Sequence, residues 1–393
     1  MRMTGESCKY FRFLRFSLGL EGGFMPNDVS REFDWDGFFR FAKEQALAGI
    51  AFDGVQRLPK EQAPPKAMLM NWLMLSQTIR QQNLRMNRAT AYIYNKVCQV
   101  GFRCCILKGQ GNALMYPNPY SRAPGDVDVW INASRKDIRR LAQMLAADGK
   151  GRIGEESRNH IEMTVQGISV ELHSTPAIMN NPWHDRRMQQ WLRRNADLQC
   201  RNLVPIPDDA GSVAVPTDVF NAIYQLFHLY HHYLFEGIGL RQFVDYYFVL
   251  KRLNTDLTDD TDGTNAMRSL CFKSSTDGTD VTDMAALQRE LKWLGLWKFA
   301  GAVMYVLHEV LRLPREWMIA PVDEKRGRLL LEEIMQGGNF GQHAAVKHCG
   351  SMTWRHNVYR LKKDWRLMRY YPSECLAEPF YRLWHFVWRV KNN

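Results

Sequence analysis

The stretch Cys104–Ile131, CCILKGQGNALMYPNPYSRAPGDVDVWI, decides the reading of the fold. Cys104-Cys105-Ile106-Leu107 is an unbroken apolar run, the pattern of a buried strand. The strand ends at Lys108, a Gly109-Gln110-Gly111 turn follows, and Asn112 to Tyr116 reads as a helix start. Pro117, Pro119, Pro124 and Gly125 make the next segment rich in turns. Val127 to Ile131 then alternates at period two, as a second strand should.

That alternation has a chemical consequence. Residues two apart on a strand point to one face, so Asp126 and Asp128 face one way while Val127, Val129 and Ile131 face a core. Two parallel carboxylates repel each other unless a cation neutralises them, and Mg²⁺ prefers oxygen ligands. A hydrophilic strand start with a Gly125-Asp126 turn accounts for the same residues without a metal. Downstream, Ile168 to His173 (ISVELH) splits into Ile168, Val170 and Leu172 on one face and Ser169, Glu171 and His173 on the other. If that strand lies beside VDVWI, Glu171 joins the two aspartates. Three carboxylates on adjacent strands can hold two ions, one activating a hydroxyl and one clamping a triphosphate. Alone, Glu171 also fits a solvent-facing strand residue. Glycines at 109 and 111 let backbone approach phosphate, and Lys108 and Arg122 add positive charge; ordinary turn chemistry explains the Gly-x-Gly as well.

Further out, the chain divides into three regions. Residues 1–100 read as helical: a short amphipathic first helix, a helix after Asp34-Trp35-Asp36, and a long one over Met68–Val100, which contains neither Gly nor Pro. Residues 101–178 hold the two strands above, a helix over Arg135–Gly149, and a hairpin from Ile161–Val165 and Ile168–His173 turning at Gln166-Gly167. Residues 179–393 return to helical patterns rich in aromatics, interrupted at about 254–283 by a stretch of Thr, Asp, Ser and Gly read as a solvated loop. The fold class is therefore α+β, a small mixed-sheet core embedded between helical regions. A length of 393 residues allows roughly two to three domains.

The order strand, Lys-Gly, short helix, Arg, Gly-Asp-x-Asp and then h-Glu-h resembles the DNA polymerase β-like nucleotidyltransferase superfamily. LKGQGNALMYPNPYSRAPGDVDVWI is more closely similar to an uncharacterised bacterial nucleotidyltransferase family common in Bacteroidetes. The resemblance extends to His160, ISVELH, the stretch HLYHHYLFEGIGLRQFVDYY (228–247) and DWDGFFRFAKEQ (34–45). It implies that Asp126 and Asp128 bind Mg²⁺, with Mn²⁺ as a substitute. It implies too that Glu171 completes the site or acts as base. Gly109 would lie under the phosphates of an NTP such as ATP, with Lys108, Arg122, Gly125 and Arg241 around them. The reaction implied is transfer of a nucleoside monophosphate to an acceptor hydroxyl on RNA, a small molecule or protein, releasing pyrophosphate. One departure stands out: where the superfamily has Gly-Ser, this chain has Lys108-Gly109-Gln110, near the Lys-Gly-Gly of type IV abortive-infection toxins. The alternative is a non-catalytic nucleotide- or RNA-binding protein on the same fold.

Other features carry less. His228, His231 and His232 share helical spacing, which suits zinc or plain packing. Arg241 and Asp245 lie one helical turn apart and can pair. Asp260-Thr261-Asp262-Gly263-Thr264 matches a phosphatase string, but no buried strand precedes it, and its near-repeat at Thr276–Thr279 reads as low complexity. A calcium-binding loop is a further reading of that segment. The tail from Trp354 interleaves Arg and Lys with Trp and Tyr, as RNA binding or a solvated amphipathic helix would. A formal charge of +11 favours polyanionic partners and tips the acceptor slightly toward RNA. Eight cysteines without a C-x-x-C pair point to reduced thiols in a cytoplasmic protein. No run is long and apolar enough for integral membrane association.

Overall fold

The computed structural model describes residues 5–21, 33–147, 151–258, 284–339 and 353–392. Helices dominate, and a five-stranded mixed sheet sits among them. The N-terminal helices are α1 (Gly5–Ser17), α2 (Trp35–Glu44), α3 (Ala48–Val55) and the long α4 (Lys66–Gln99). Asp34 caps α2, its Oδ1 accepting from Gly37 N at 2.8 Å. Ala46 takes φ 55° between α2 and α3, so the periodic run from Phe38 breaks into two helices. Gly101, at φ 86°, supplies the left-handed residue just past α4.

The sheet follows: β1 (Cys104–Leu107), α5 (Gly109–Ala113), β2 (Val127–Ile131), α6 (Arg135–Ala147), β3 (Gly151–Glu156), β4 (His160–Val165) and β5 (Ile168–His173). Strand order is β1-β2-β5-β4-β3, with β2 and β5 parallel and the other pairs antiparallel. The β4–β5 hairpin turns at Gln166 and Gly167, both with positive φ. Gly149, the expected end of α6, lies outside the described residues.

Three strands were not legible in the sequence. β3 (GRIGEE) is a mostly exposed edge strand with a register irregularity, so it shows no alternation. β6 (Leu203–Ile206) and β7 (Gly211–Ala214) form a hairpin inside the region read as helical. Pro205 sits within β6, which hides it as a strand. Ile206, Val213 and Ala214 of this hairpin close the small core.

The sheet has two unlike faces. One carries Val127, Val129, Ile131, Val170 and Leu172 and packs under Ile93 and Val97 of α4 and Ile138 and Leu141 of α6. The other carries Asp128, Trp130, Glu171 and His173 and meets the helical body: α7 (Pro182–Gln199), α8 (Asp218–Phe235), α9 (Leu240–Thr258), α10 (Met284–Trp293), α11 (Trp297–Leu311), α12 (Glu324–Gly337), α13 (Thr353–Met368) and α14 (Pro372–Asn392). Trp130 stacks on Phe220 at 5.6 Å and Phe220 on Trp191 at 4.4 Å, joining sheet to body. α9 continues to Thr258, so residues 254–258 are helical where a loop was expected; residues 259–283, with the Asp260–Thr264 and Thr276–Thr279 strings, lie outside the described residues. No described helix is long and apolar enough to cross a membrane.

Candidate active site

Parallel pairing of β2 with β5 sets Asp128 opposite Glu171 and Trp130 opposite His173. Period two then puts Asp128, Glu171 and His173 on the face turned to α8. Asp126 stands just before β2 and is half-buried, whereas Asp128 is 1% exposed. One carboxylate oxygen from each of Asp126, Asp128 and Glu171 lies within 4.8 Å of the other two. That is close to the span of about 4 Å across an octahedral Mg²⁺, so the three acids fit a hard cation.

Positive charge is packed against them. Lys108 Nζ meets Asp128 Oδ2 at 2.9 Å. His173 Nε2 lies 3.0 Å from Asp128 Oδ1 and 3.1 Å from Glu171 Oε2. Burial pushes the Asp128 carboxyl upward, but Lys108 and His173 prevail and hold it below its ordinary value. Glu171 is held low in the same way, burial opposed by His173 and His160. Burial works against the His173 imidazolium, yet its two carboxylate partners raise it to about 9. His173 was visible in the sequence only as the residue two beyond Glu171; that spacing was the signal that it shares the acidic face.

Lys108 adopts φ 52° between β1 and α5, a left-handed conformation that costs a non-glycine residue about 1–3 kcal/mol. The expected Gly-x-Gly turn is itself helical: α5 starts at Gly109 and includes Gly111. A Cβ on Gly111 would stand 3.1 Å from Val215 Cγ1, so this glycine admits the β7 segment.

The arginines divide. Arg122 is 3% exposed, and its Nε and Nη2 bind Asp245 Oδ1 and Oδ2 at 2.7 and 2.9 Å. Tyr116 donates to Asp245 Oδ1 at 2.6 Å. Asp245 therefore has its bidentate partner in Arg122, across the sequence. Arg241 donates to Ala123 O at 2.9 Å, and its Nη1 would lie 3.9 Å from a Cβ on Gly125. Its guanidinium is thus buried under the loop that carries Asp126. Burial and the neighbouring Arg122 charge lower its pKa. Asn83 of α4 fixes this loop, its Nδ2 reaching Tyr120 O at 3.0 Å and Arg122 O at 2.9 Å.

α8 adds a polar row. His228 Nε2 is 3.4 Å from Lys108 Nζ and 2.8 Å from His232 Nε2, and His232 Nδ1 is 2.9 Å from Glu236 Oε2. Burial and the Lys108 charge push the His228 pKa well below its ordinary value. Glu236 stands exposed, and its contact with His232 holds the carboxyl below its ordinary value. Among the described residues, the metal-competent clusters are Asp126–Asp128–Glu171 and His160–Glu171–His173; the α8 histidines form none.

Among curated proteins none matches this chain. The family model described as uncharacterised nucleotidyltransferase matches residues 31–271, which include the whole sheet, both aspartates, Glu171 and Arg241. With more than half of its length matched, the chain belongs to that uncharacterised nucleotidyltransferase family.

Proposed function

We propose that the protein moves a nucleoside monophosphate from an NTP to an acceptor hydroxyl in a Mg²⁺-dependent reaction, with Mn²⁺ as a substitute. The observation that carries this is the convergence of Asp126, Asp128 and Glu171 on one face of the sheet. A new bond forms between the acceptor oxygen and the α-phosphorus, the α–β phosphoanhydride bond breaks, and pyrophosphate leaves. Asp126, Asp128 and Glu171 would hold the cation, which when bound polarises phosphoryl oxygens and makes a hydroxyl more acidic. Glu171 completes this set or takes the hydroxyl proton. Lys108 and Arg241 balance the phosphate charge, with Gly109 and the exposed Gly125 beside it. Arg122 acts through Asp245, holding the Asp126 loop. RNA is the acceptor class that the net charge of +11 favours, ahead of a small molecule or protein. The six described cysteines are all free thiols, in keeping with a cytoplasmic setting.

The test is label transfer from each α-labelled NTP, with Mg²⁺, into RNA, protein and small-molecule fractions. Label should enter one fraction and fall at least about a hundredfold in Asp126→Ala. Undiminished transfer by that variant sinks the assignment. A second reading, nucleotide or RNA binding without chemistry, draws on the Lys108–Asp128 ion pair, which neutralises one acid without any metal. Binding of NTP that ignores Mg²⁺, with no label transferred, would favour it.

A further inference from the structure

His160 of β4 and His173 of β5 are register partners on neighbouring antiparallel strands. Their rings project from one face with centroids 5.2 Å apart. His160 Nδ1 stands 4.0 Å from Glu171 Oε2, and His173 Nε2 stands 3.1 Å from the same oxygen. One ligand atom from each of His160, Glu171 and His173 lies within 4.8 Å of the other two. His160 Nδ1 is also buried with no hydrogen-bond partner. A buried polar atom left that way is costly unless something else takes its lone pair. On the far side of the same ring, Nε2 faces Glu162 Oε1 at 3.6 Å. A carboxylate behind an imidazole is the arrangement that orients metal-binding histidines.

We propose that His160, His173 and Glu171 form a second cation site, selective for a first-row transition ion over Mg²⁺. Two imidazoles and one carboxylate match the donor set of Zn²⁺ and related ions, whereas Mg²⁺ takes oxygen and sheds water reluctantly. Glu171 is shared with the three-acid site, and in that respect the inference rests on the reading above. Binding requires the His173 Nε2 proton to leave to solvent and its contact with Asp128 to open. The ion would then sit beside the acids, on the β4 side of Glu171.

The probe is Zn²⁺ alone, added to metal-free full-length protein. Bound zinc should resist a large excess of Mg²⁺, and X-ray absorption at the zinc edge should show imidazole scattering. His160→Ala should weaken zinc binding at least about tenfold and remove one imidazole. His160→Gln, which keeps the size and polarity of the site, should do the same with an unchanged melting temperature, while Asp126→Ala should leave the imidazole signal in place. An oxygen-only spectrum, displacement by equimolar Mg²⁺, or full zinc affinity in both His160 variants would overturn the proposal. Label transfer with Mg²⁺ alongside an oxygen-only zinc spectrum would sink this site alone. Absent transfer with a zinc–imidazole signal would sink the nucleotidyl-transfer reading and leave this site standing.

Discussion

Asp245 is buried with both carboxylate oxygens on Arg122 and one also on Tyr116. Asp245→Asn would leave the Arg122 guanidinium in the interior without its counter-charge, a loss of about 3–5 kcal/mol. Urea unfolding at neutral pH should show that loss as a lower midpoint. The pH dependence has a defined sign. Burial raises the Asp245 carboxyl, but Arg122 prevails and holds it below the ordinary aspartate value of about 3.9. Its contribution is therefore complete above about pH 4 and is lost as the pH falls through the depressed folded value. The urea midpoint of the wild type should drop on that acid limb more steeply than that of Asp245→Asn. Equal acid slopes would remove Asp245 from the account.

At the scale of elements, α4 does two jobs at different points along its length. Ile93 and Val97 cover the sheet, while Asn83 and Asn87 turn to the loop and to α5. Gln110 donates to Asn87 Oδ1, and Asn87 donates to Asp208 Oδ2 at 3.3 Å, so the helix ties the β6–β7 turn to α5. Asn83→Ala strands the carbonyls of Tyr120 and Arg122, which should cost about 1–3 kcal/mol. Hydrogen exchange should accelerate in residues 118–126 well before it changes in β4 or β5. Uniform acceleration across the sheet would show that Asn83 supports the whole domain rather than this loop. The long helix itself was legible from its lack of Gly and Pro. Its asparagines were not, because their partners lie far along the chain.

For the whole molecule, one face of the sheet shares an interior with the helical body, while its other face closes a separate, smaller core. The larger apolar cluster draws Phe11 from α1, Leu107 and Trp130 from the sheet, and Phe299 and Tyr371 from the C-terminal half. Phe220→Ala removes the middle ring of the Trp130–Phe220–Trp191 stack and should cost about 3–5 kcal/mol. Because Leu107 and Trp130 of the sheet lie in the larger cluster, calorimetry should give one transition for the wild type. Two transitions would mean that the central region unfolds apart from the helices. Outside this interior, Trp183, Phe380 and Trp384 line an open groove with Arg158 stacked 4.5 Å over Trp384. The tail read as basic and aromatic is thus helical in α13 and α14, with large apolar side chains exposed.

Local rules were enough for much of this. Period two placed Asp126, Asp128, Glu171 and the valines on their faces, and an apolar run marked β1. Asp34 and Gly101 marked helix ends, because strand alternation and helix capping depend on residues within one turn of chain. Other features needed the tertiary structure. Whether Glu171 meets the aspartates depends on β5 pairing in parallel with β2, a contact between segments some forty residues apart that no local pattern encodes. The choice of Arg122 for Asp245, the reach of Lys108 and His173 to Asp128, and the seating of β6–β7 against α4 are settled by packing in three dimensions. For these buried charges the partner is the group that folding brings near, and here it lies well away along the chain.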